Sequence, residues 1–293
     1  MSSSYLMTPQ ALHARVTQSP ETVLICDCRF DLVDADLGQR AYDASHLPSA
    51  VYVDLGRSLS REKNGLNGRH PLPEPEVFAQ HLKAMGVNDD TLLVGVDAHG
   101  SLYASRLWWL ARWVGHKHVV VLDGGMPAWE KAGYALTSDK PAKRPPGNFK
   151  RAAALVSSVE LANMQAGLGR PERLIVDARP GDRFQGQNET LDARAGHIPG
   201  AASRPVKENL NEDGTFKHPE VLRAELAALL GKHSAKDLVA SCGSGVSACH
   251  LLLALELAAL PGGALYGGSW SEWSSQPNAP TETGPSKVVP SAR

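Results

Sequence analysis

Leu24-Ile25-Cys26-Asp27-Cys28-Arg29 returns 150 residues later as Leu174-Ile175-Val176-Asp177-Ala178-Arg179. Working outward from this pair, three more matches follow in the same order. Ser45-His46-Leu47-Pro48-Ser49-Ala50 matches Gly196-His197-Ile198-Pro199-Gly200-Ala201. Leu93-Val94-Gly95-Val96-Asp97 lines up with Leu238-Val239-Ala240-Ser241-Cys242. Asp123-Gly124-Gly125 with Trp129 lines up with Tyr266-Gly267-Gly268 with Trp273. A conserved order at a nearly constant offset makes the chain two copies of one domain. Residues 1–140 are expected to form the first copy, 141–150 a linker and 151–293 the second copy. The stretch Ser138 to Asn148, with three prolines and a glycine, carries the linker signal.

Each copy alternates short apolar, β-branched runs with helical patterns. Val23 to Cys28, Leu92 to Val96, Val119 to Leu122, Leu174 to Val176 and Leu238 to Ala240 read as strands. Pro75 to Met85, Leu102 to Trp113, Pro219 to Leu230 and Ala248 to Leu260 read as helices. The alternation predicts an α/β fold: two tandem domains, each a mainly parallel sheet flanked by helices. The Pro-, Ser- and Thr-rich tail after Gln276 is expected to wrap or fray.

The 293 residues suffice for two cores. A net charge of -1 gives no reason to expect nucleic acid or an anionic membrane as partner. The first residues lack a basic region followed by a long apolar run, so no secretory signal is expected and the cytoplasm is the default location. Ala248 to Leu260 contains His250 and Glu256 and is too short and polar to span a bilayer. The four cysteines, Cys26, Cys28, Cys242 and Cys249, do not have the spacing of a disulfide framework or a zinc site. Cys26 and Cys28 alternate on one strand face and read as core, and Cys249 as a buried helix residue. Trp108, Trp109 and Trp113 fall at helical spacing and read as packing.

Cys242 is different in kind. It ends a strand, precedes an apolar helix, and opens the loop Cys242-Gly243-Ser244-Gly245-Val246-Ser247. Gly243 and Gly245 free the backbone to curl, and a curled loop at a helix N-terminus aims N–H groups at one point. Such a cradle suits a nucleophilic thiolate and any negatively charged sulfur built on it. The first copy has Asp97 at this position, which cannot be a sulfur nucleophile. The pattern is therefore an active copy beside an inactive one. A cysteine phosphatase loop would need an arginine at position 248 to clamp phosphoryl oxygens. That residue is Ala248, and the loop is one residue short for a tetrahedral phosphate.

With these residues in view, the chain resembles the rhodanese superfamily, in particular its tandem two-domain sulfurtransferases. The resemblance spans residues 8 to 276. It rests on Asp-x-Arg after the first strand of each copy, Gly196 to Ala201, the Cys242 loop and Gly268-Ser269-Trp270-Ser271-Glu272-Trp273. Asn67-Gly68-Arg69-His70-Pro71-Leu72-Pro73 and Ala104 to Trp109 add to it. The resemblance implies ping-pong transfer: Cys242 takes sulfur from a small-molecule donor as a persulfide, and a thiophile such as cyanide, a small thiol or a thioredoxin-like protein removes it. It implies no metal and no organic cofactor.

The uncharged loop, with Val246 and Ser247, is similar to that of the enzymes using 3-mercaptopyruvate. Thiosulfate enzymes carry Arg and Lys after the cysteine, and they remain the alternative, together with a non-catalytic persulfide carrier. Arg183 matches the first substrate-carboxylate arginine. The position nine residues later is Asp192, so Arg194 is expected to supply the second from a shifted place. Ser244 matches a loop hydroxyl that helps proton transfer, and His70 the histidine that relays to it. The matching acidic position is Gly56, with Asp54 nearby as a turn or cap residue. His70 comes from the first copy, so its arrival at Cys242 would put the site between the copies. A monomer is expected. His46 and His197, present in both copies, are expected to fix a turn; Asp27 with Arg29 and Asp177 with Arg179 are expected to form internal ion pairs.

Overall fold

A computed structural model describes residues 5–286. The chain divides into two compact units. Unit 1 comprises the described residues of Met1–Arg61, with Pro73–Leu155 and Glu212–Phe216; unit 2 comprises Glu62–Leu72, Val156–Asn211 and the described residues of Lys217–Arg293. Each unit thus takes in a short segment from the other half of the sequence.

Unit 1 runs β1 (Leu6–Met7), α1 (Pro9–Gln18), β2 (Val23–Asp27), α2 (Leu37–Ala44), β3 (Val51–Tyr52), α3 (Pro75–Ala84), β4 (Leu92–Val96), α4 (Ala104–Trp113), β5 (Val119–Leu122) and α5 (Gly125–Lys131). Unit 2 runs β6 (Ser157–Val159), α6 (Leu161–Ala166), β7 (Leu174–Asp177), α7 (Gly181–Gln185), β8 (Ala202–Ser203), α8 (Pro219–Leu230), β9 (Leu238–Ser241), α9 (Ser247–Leu257), β10 (Ala264–Tyr266) and α10 (Ser269–Ser275). The sheet orders, β1-β5-β4-β2-β3 and β6-β10-β9-β7-β8, are the same topology twice, and the pairs are parallel. The fold is α/β with two tandem parallel-sheet domains, as the repeat implied.

The two-residue strands β1, β3 and β8 lie at sheet edges. They are too short to carry a periodic signal, which is why only the inner strands were legible. Those inner strands are buried on both faces, as parallel strands between helices must be. One cluster in unit 1 holds Ile25, Tyr42, Leu47, Val94, Leu122, Met126 and Trp129. Its counterpart in unit 2 holds Ile175, Phe184, Ile198, Val239, Tyr266, Trp270 and Trp273. Trp108 and Trp109 are fully buried, and Trp113 stacks on Trp109 at 5.6 Å. No helix among the described residues is long and apolar enough to cross a membrane.

The fourth sequence match moves by one residue. Met126 N donates to Asp97 O at 2.8 Å, as Trp270 N donates to Cys242 O at 2.9 Å. Gly125 therefore corresponds to Ser269, not to Gly268. The segment expected as a linker is bonded to unit 1: Arg144 Nη1 donates to Val23 O at 2.7 Å and Gly147 N to Lys83 O at 2.8 Å. The described part of the tail wraps unit 2, pairing Glu282 with His197 in a short bridge; residues 287–293 lie outside the described residues.

Candidate active site

The candidate site lies where the strands of unit 2 end, the edge at which open parallel sheets bind ligands. β9, the middle strand of five, delivers Cys242; α9 starts at Ser247, and residues 243–246 curl between them. Gly245 has φ +76, and a Cβ on it would stand 2.3 Å from Gly267 O, so only glycine fits there. Cys242 is 1% exposed, and its Sγ accepts the N–H of Gly245 at 3.1 Å. A donated N–H beside a helix N-terminus stabilises negative charge on the sulfur. Ser247 is the first residue of α9, and Val246, 6% exposed, precedes it.

Ser269, at the start of α10, is a site residue that sequence reading missed. Its Oγ accepts the N–H of Cys242 at 3.0 Å, donates to Tyr266 O at 2.9 Å, and lies 3.9 Å from Cys242 Sγ. Its φ is +52, a conformation costly for a residue with a side chain, whereas its counterpart Gly125 adopts φ +58 without that cost. A serine where the sister copy has a left-handed glycine was the available signal.

His70 and Ser244 meet: Nδ1 and Oγ are 2.8 Å apart, and both residues are buried. Because Glu62–Leu72 belongs to unit 2, the contact is internal to that unit. Asp54 Oδ1 accepts the N–H of Arg57 at 2.7 Å and so closes a turn in unit 1.

The arginines are arranged differently from expectation. Arg183 Nη1 lies 3.6 Å from where a Cβ on Gly243 would be. Arg194 is turned elsewhere. Its Nε, Nη1 and Nη2 donate to the carbonyls of Ser274, Ala279, Trp273 and Gln276, so the guanidinium ties down the C-terminal end of α10 and the chain beyond. The second cation over the loop is Arg69, whose Nη2 lies 2.7 Å from the Cβ position of Gly243. Arg69 sits beside His70 in a quoted motif, but nothing local showed that it turns toward Gly243.

Acids balance these cations. Arg183 Nη2 binds Glu189 Oε1 at 2.8 Å and Asp192 Oδ2 at 3.1 Å, and Arg69 Nη1 binds the other Asp192 oxygen. Burial pushes Asp192 above its ordinary carboxylate range despite the opposing pull of Arg69 and Arg183. Burial also pushes Glu189 up, but the Arg183 hydrogen bond and the N–H groups of Leu191 and Asp192 outweigh it and hold this group below its usual value. Arg179 forks onto Asp177, at 3.0 Å from Nε and 2.8 Å from Nη2, and its guanidinium lies 5.0 Å from the Trp270 ring centre.

The features shared by both copies are structural. Arg29 and Asp27 repeat the fork of Arg179 and Asp177. His46 stacks on Tyr42 and His197 on Phe184, and each Nδ1 lies 2.7 Å from the carbonyl of the residue it stacks on. Burial pushes the Cys26 thiol up to about 12 and Cys28 well above its ordinary value, so both are poor nucleophiles. Cys249 is fully buried, with Sγ 3.1 Å from Gly245 O.

A doubled parallel sheet with a cysteine loop at the end of one middle strand defines a class of two-domain α/β proteins with one thiol site. Residues 8–132 and 160–276 both match the rhodanese-like domain family, and the chain belongs to that family. A probable 3-mercaptopyruvate sulfurtransferase of Pseudomonas aeruginosa is 44% identical over 286 residues, covering 97% of this chain and 100% of that protein. A putative thiosulfate sulfurtransferase of Mycobacterium tuberculosis, SseB, is 36% identical, covering 92% and 94%. The crystal structure of SseA from Escherichia coli, described as a 3-mercaptopyruvate sulfotransferase, superposes with a TM-score of 0.78 at 31% identity, covering 92% of this chain and all of that one.

Proposed function

We propose that this protein is a sulfurtransferase that takes sulfur from 3-mercaptopyruvate onto Cys242 and passes it to a thiophile. The observation carrying the reading is the Cys242 loop, in which Sγ meets the Gly245 N–H while the His70–Ser244 pair stands in the same curl. The Cys242 thiolate attacks the donor's sulfur. An S–S bond forms, the donor's C–S bond breaks, and its electron pair goes to carbon as the enolate of pyruvate. Ser244 Oγ supplies the proton that completes pyruvate, His70 Nδ1 returns one to the hydroxyl, and the donor's S–H proton, released as the persulfide ionises, replaces the one His70 gave. The loop N–H groups and the α9 N-terminus hold the persulfide anion. Cyanide, a small thiol or a thioredoxin-like protein then attacks the outer sulfur and regenerates the thiolate. Each unit has its own core, which suits a monomer. The cytoplasm suits four free cysteines.

A thiosulfate:cyanide reading is favoured by one observation, the two guanidinium groups over Gly243, which would also receive a dianion. The loop itself carries no cation, which favours the mercaptopyruvate reading. The deciding measurement is kcat/KM for both donors with cyanide as acceptor. A preference of about tenfold or more for mercaptopyruvate is expected. A preference for thiosulfate overturns the donor assignment. A stable Cys242 persulfide that never turns over points to a sulfur carrier instead.

A further inference from the structure

The helix α10 ends by different means from its counterpart α5. Gly125 corresponds to Ser269 and Trp129 to Trp273, so Ala132 and Gly133 stand where Gln276 and Pro277 stand. In unit 1, Ala132 stays helical at ψ -3 and Gly133 takes φ +79. The Gly133 N–H returns to Glu130 O at 2.9 Å, a glycine turn that closes the helix end with a backbone donor. Pro277 has no N–H, and it bars the residue before it from the helical region. Gln276 is accordingly extended, at ψ 123. The carbonyl of Ser274, which corresponds to Glu130, goes to Arg194 Nε at 2.8 Å instead. The other Arg194 nitrogens take the carbonyls of Trp273, Gln276 and Ala279. A side chain thus supplies the cap that Pro277 removes, and its charge suits a helix C-terminus. Arg194 stands three residues before His197. Three residues before His46, unit 1 has Asp43, which accepts Gln39 Nε2 at 3.0 Å.

The opposite end of α10 carries supports of the thiol. Trp270 N donates to Cys242 O and Ser271 N to Gly243 O, both at 2.9 Å. Ser269 Oγ accepts the N–H of Cys242 at 3.0 Å. These bonds fix the first peptides of the loop whose Gly245 N–H meets Sγ. Arg194 holds this end as well, because its carbonyl accepts Trp270 Nε1 at 2.9 Å. One residue therefore grips a seven-residue helix at the front through its backbone and at the rear through its guanidinium. A helix so short has little stability of its own and keeps its place through such contacts.

We infer that Arg194 is a positioning residue for sulfur transfer: its grip on α10 keeps Cys242 and Gly243 in the reactive orientation without touching the donor. The inference deepens the proposed function and rests on it only for the reaction that is positioned. The reactivity of the Cys242 thiol toward an uncharged reagent reports the same grip whatever that reaction is.

The test combines steady-state kinetics, with cyanide as acceptor, and alkylation of Cys242 by iodoacetamide followed by mass. Arg194→Gln is expected to lower kcat about tenfold with mercaptopyruvate and thiosulfate alike, with each KM within about twofold of wild type. Alkylation should slow by about threefold or more. Adding Pro277→Gly, which restores a backbone donor at the helix end, should recover most of both losses. A rise of about tenfold in KM for mercaptopyruvate with unchanged alkylation overturns the positioning role and makes Arg194 a donor ligand. A lower Tm with kcat and alkylation unchanged overturns it too, leaving a stabilising cap. If Arg194→Gln does not fold, the double variant decides, and a kcat below about a tenth of wild type in it overturns the assignment. A wild type that turns over neither donor, with alkylation slowed in Arg194→Gln, sinks the proposed function and leaves the positioning role standing.

Discussion

The loops after β4 and β9 start from equivalent strand ends and reach opposite chemical states. In unit 1, Asp97 folds its carboxylate back into the cradle. Oδ1 accepts the N–H groups of His99 and Ser101 at 2.8 and 3.0 Å, and Oδ2 those of Tyr103 and Ala104 at 2.7 and 2.9 Å. In unit 2, Cys242 puts a sulfur there and receives the Gly245 N–H. A curl of backbone donors at a helix N-terminus wants an anion. Unit 1 satisfies it from its own chain; unit 2 turns it toward the sulfur of Cys242. The same cradle is a structural clasp in one copy and a candidate reaction site in the other, and the residue at the strand end, Asp97 or Cys242, sets which.

The largest effect expected from breaking this comparison is at Cys242. Cys242→Ser should lower thiocyanate formation by about a thousandfold or more with every donor. Residual turnover near wild type would falsify the central role of the sulfur. Asp97→Ala should leave four backbone N–H groups, three of them buried, without their acceptor and cost roughly 3 kcal/mol of unfolding free energy in urea titration. A loss below about 1 kcal/mol would mean that the carboxylate is no clasp.

Ser269→Gly imports the unit 1 residue into unit 2. It relieves a left-handed serine but removes the hydroxyl that bonds Cys242 N, so sulfur transfer should slow by about tenfold while stability changes by less than about 1 kcal/mol. Unchanged single-turnover rates would make Ser269 a packing residue only. The smallest effect is at Ser101, the counterpart of Gly245. Ser105 Oγ donates to Ser101 O as Cys249 Sγ approaches Gly245 O, which sets that correspondence. Ser101 has φ +69 and a buried hydroxyl without a hydrogen-bond partner among the described residues. Ser101→Gly should raise stability by about 1 kcal/mol, seen as a higher Tm with activity unchanged. A fall in Tm would show that the hydroxyl has a role in unit 1.

Legibility in the sequence followed the range of the interaction. Cys242, Gly243, Ser244 and Gly245 were readable together because one curl needs only its own residues. Arg183 and His70 were reached through a family resemblance, not through local pattern. Arg194 was misplaced because its partners are four carbonyls at and beyond the end of α10, and backbone acceptors leave no trace in side-chain pattern. Arg69 was passed over because its target depends on how Glu62–Leu72 joins unit 2. Ser269 was hidden by a one-residue slip in matching the copies, which the paired hydrogen bonds of Met126 and Trp270 correct.

By itself, the sequence determined that the protein is one domain written twice, that its inner strands are parallel and buried, and that a thiol stands in one copy where a carboxylate stands in the other. These follow from periodicity, burial pattern and residue identity, all short-range properties of the chain. The tertiary structure alone decided which cations face the thiol, that Arg69 stands there and Arg194 does not, and that Asp192 holds the place between Arg69 and Arg183. Those outcomes depend on where loops from different strand ends converge. Sheet register and loop path set that convergence, and neither is encoded within any one segment.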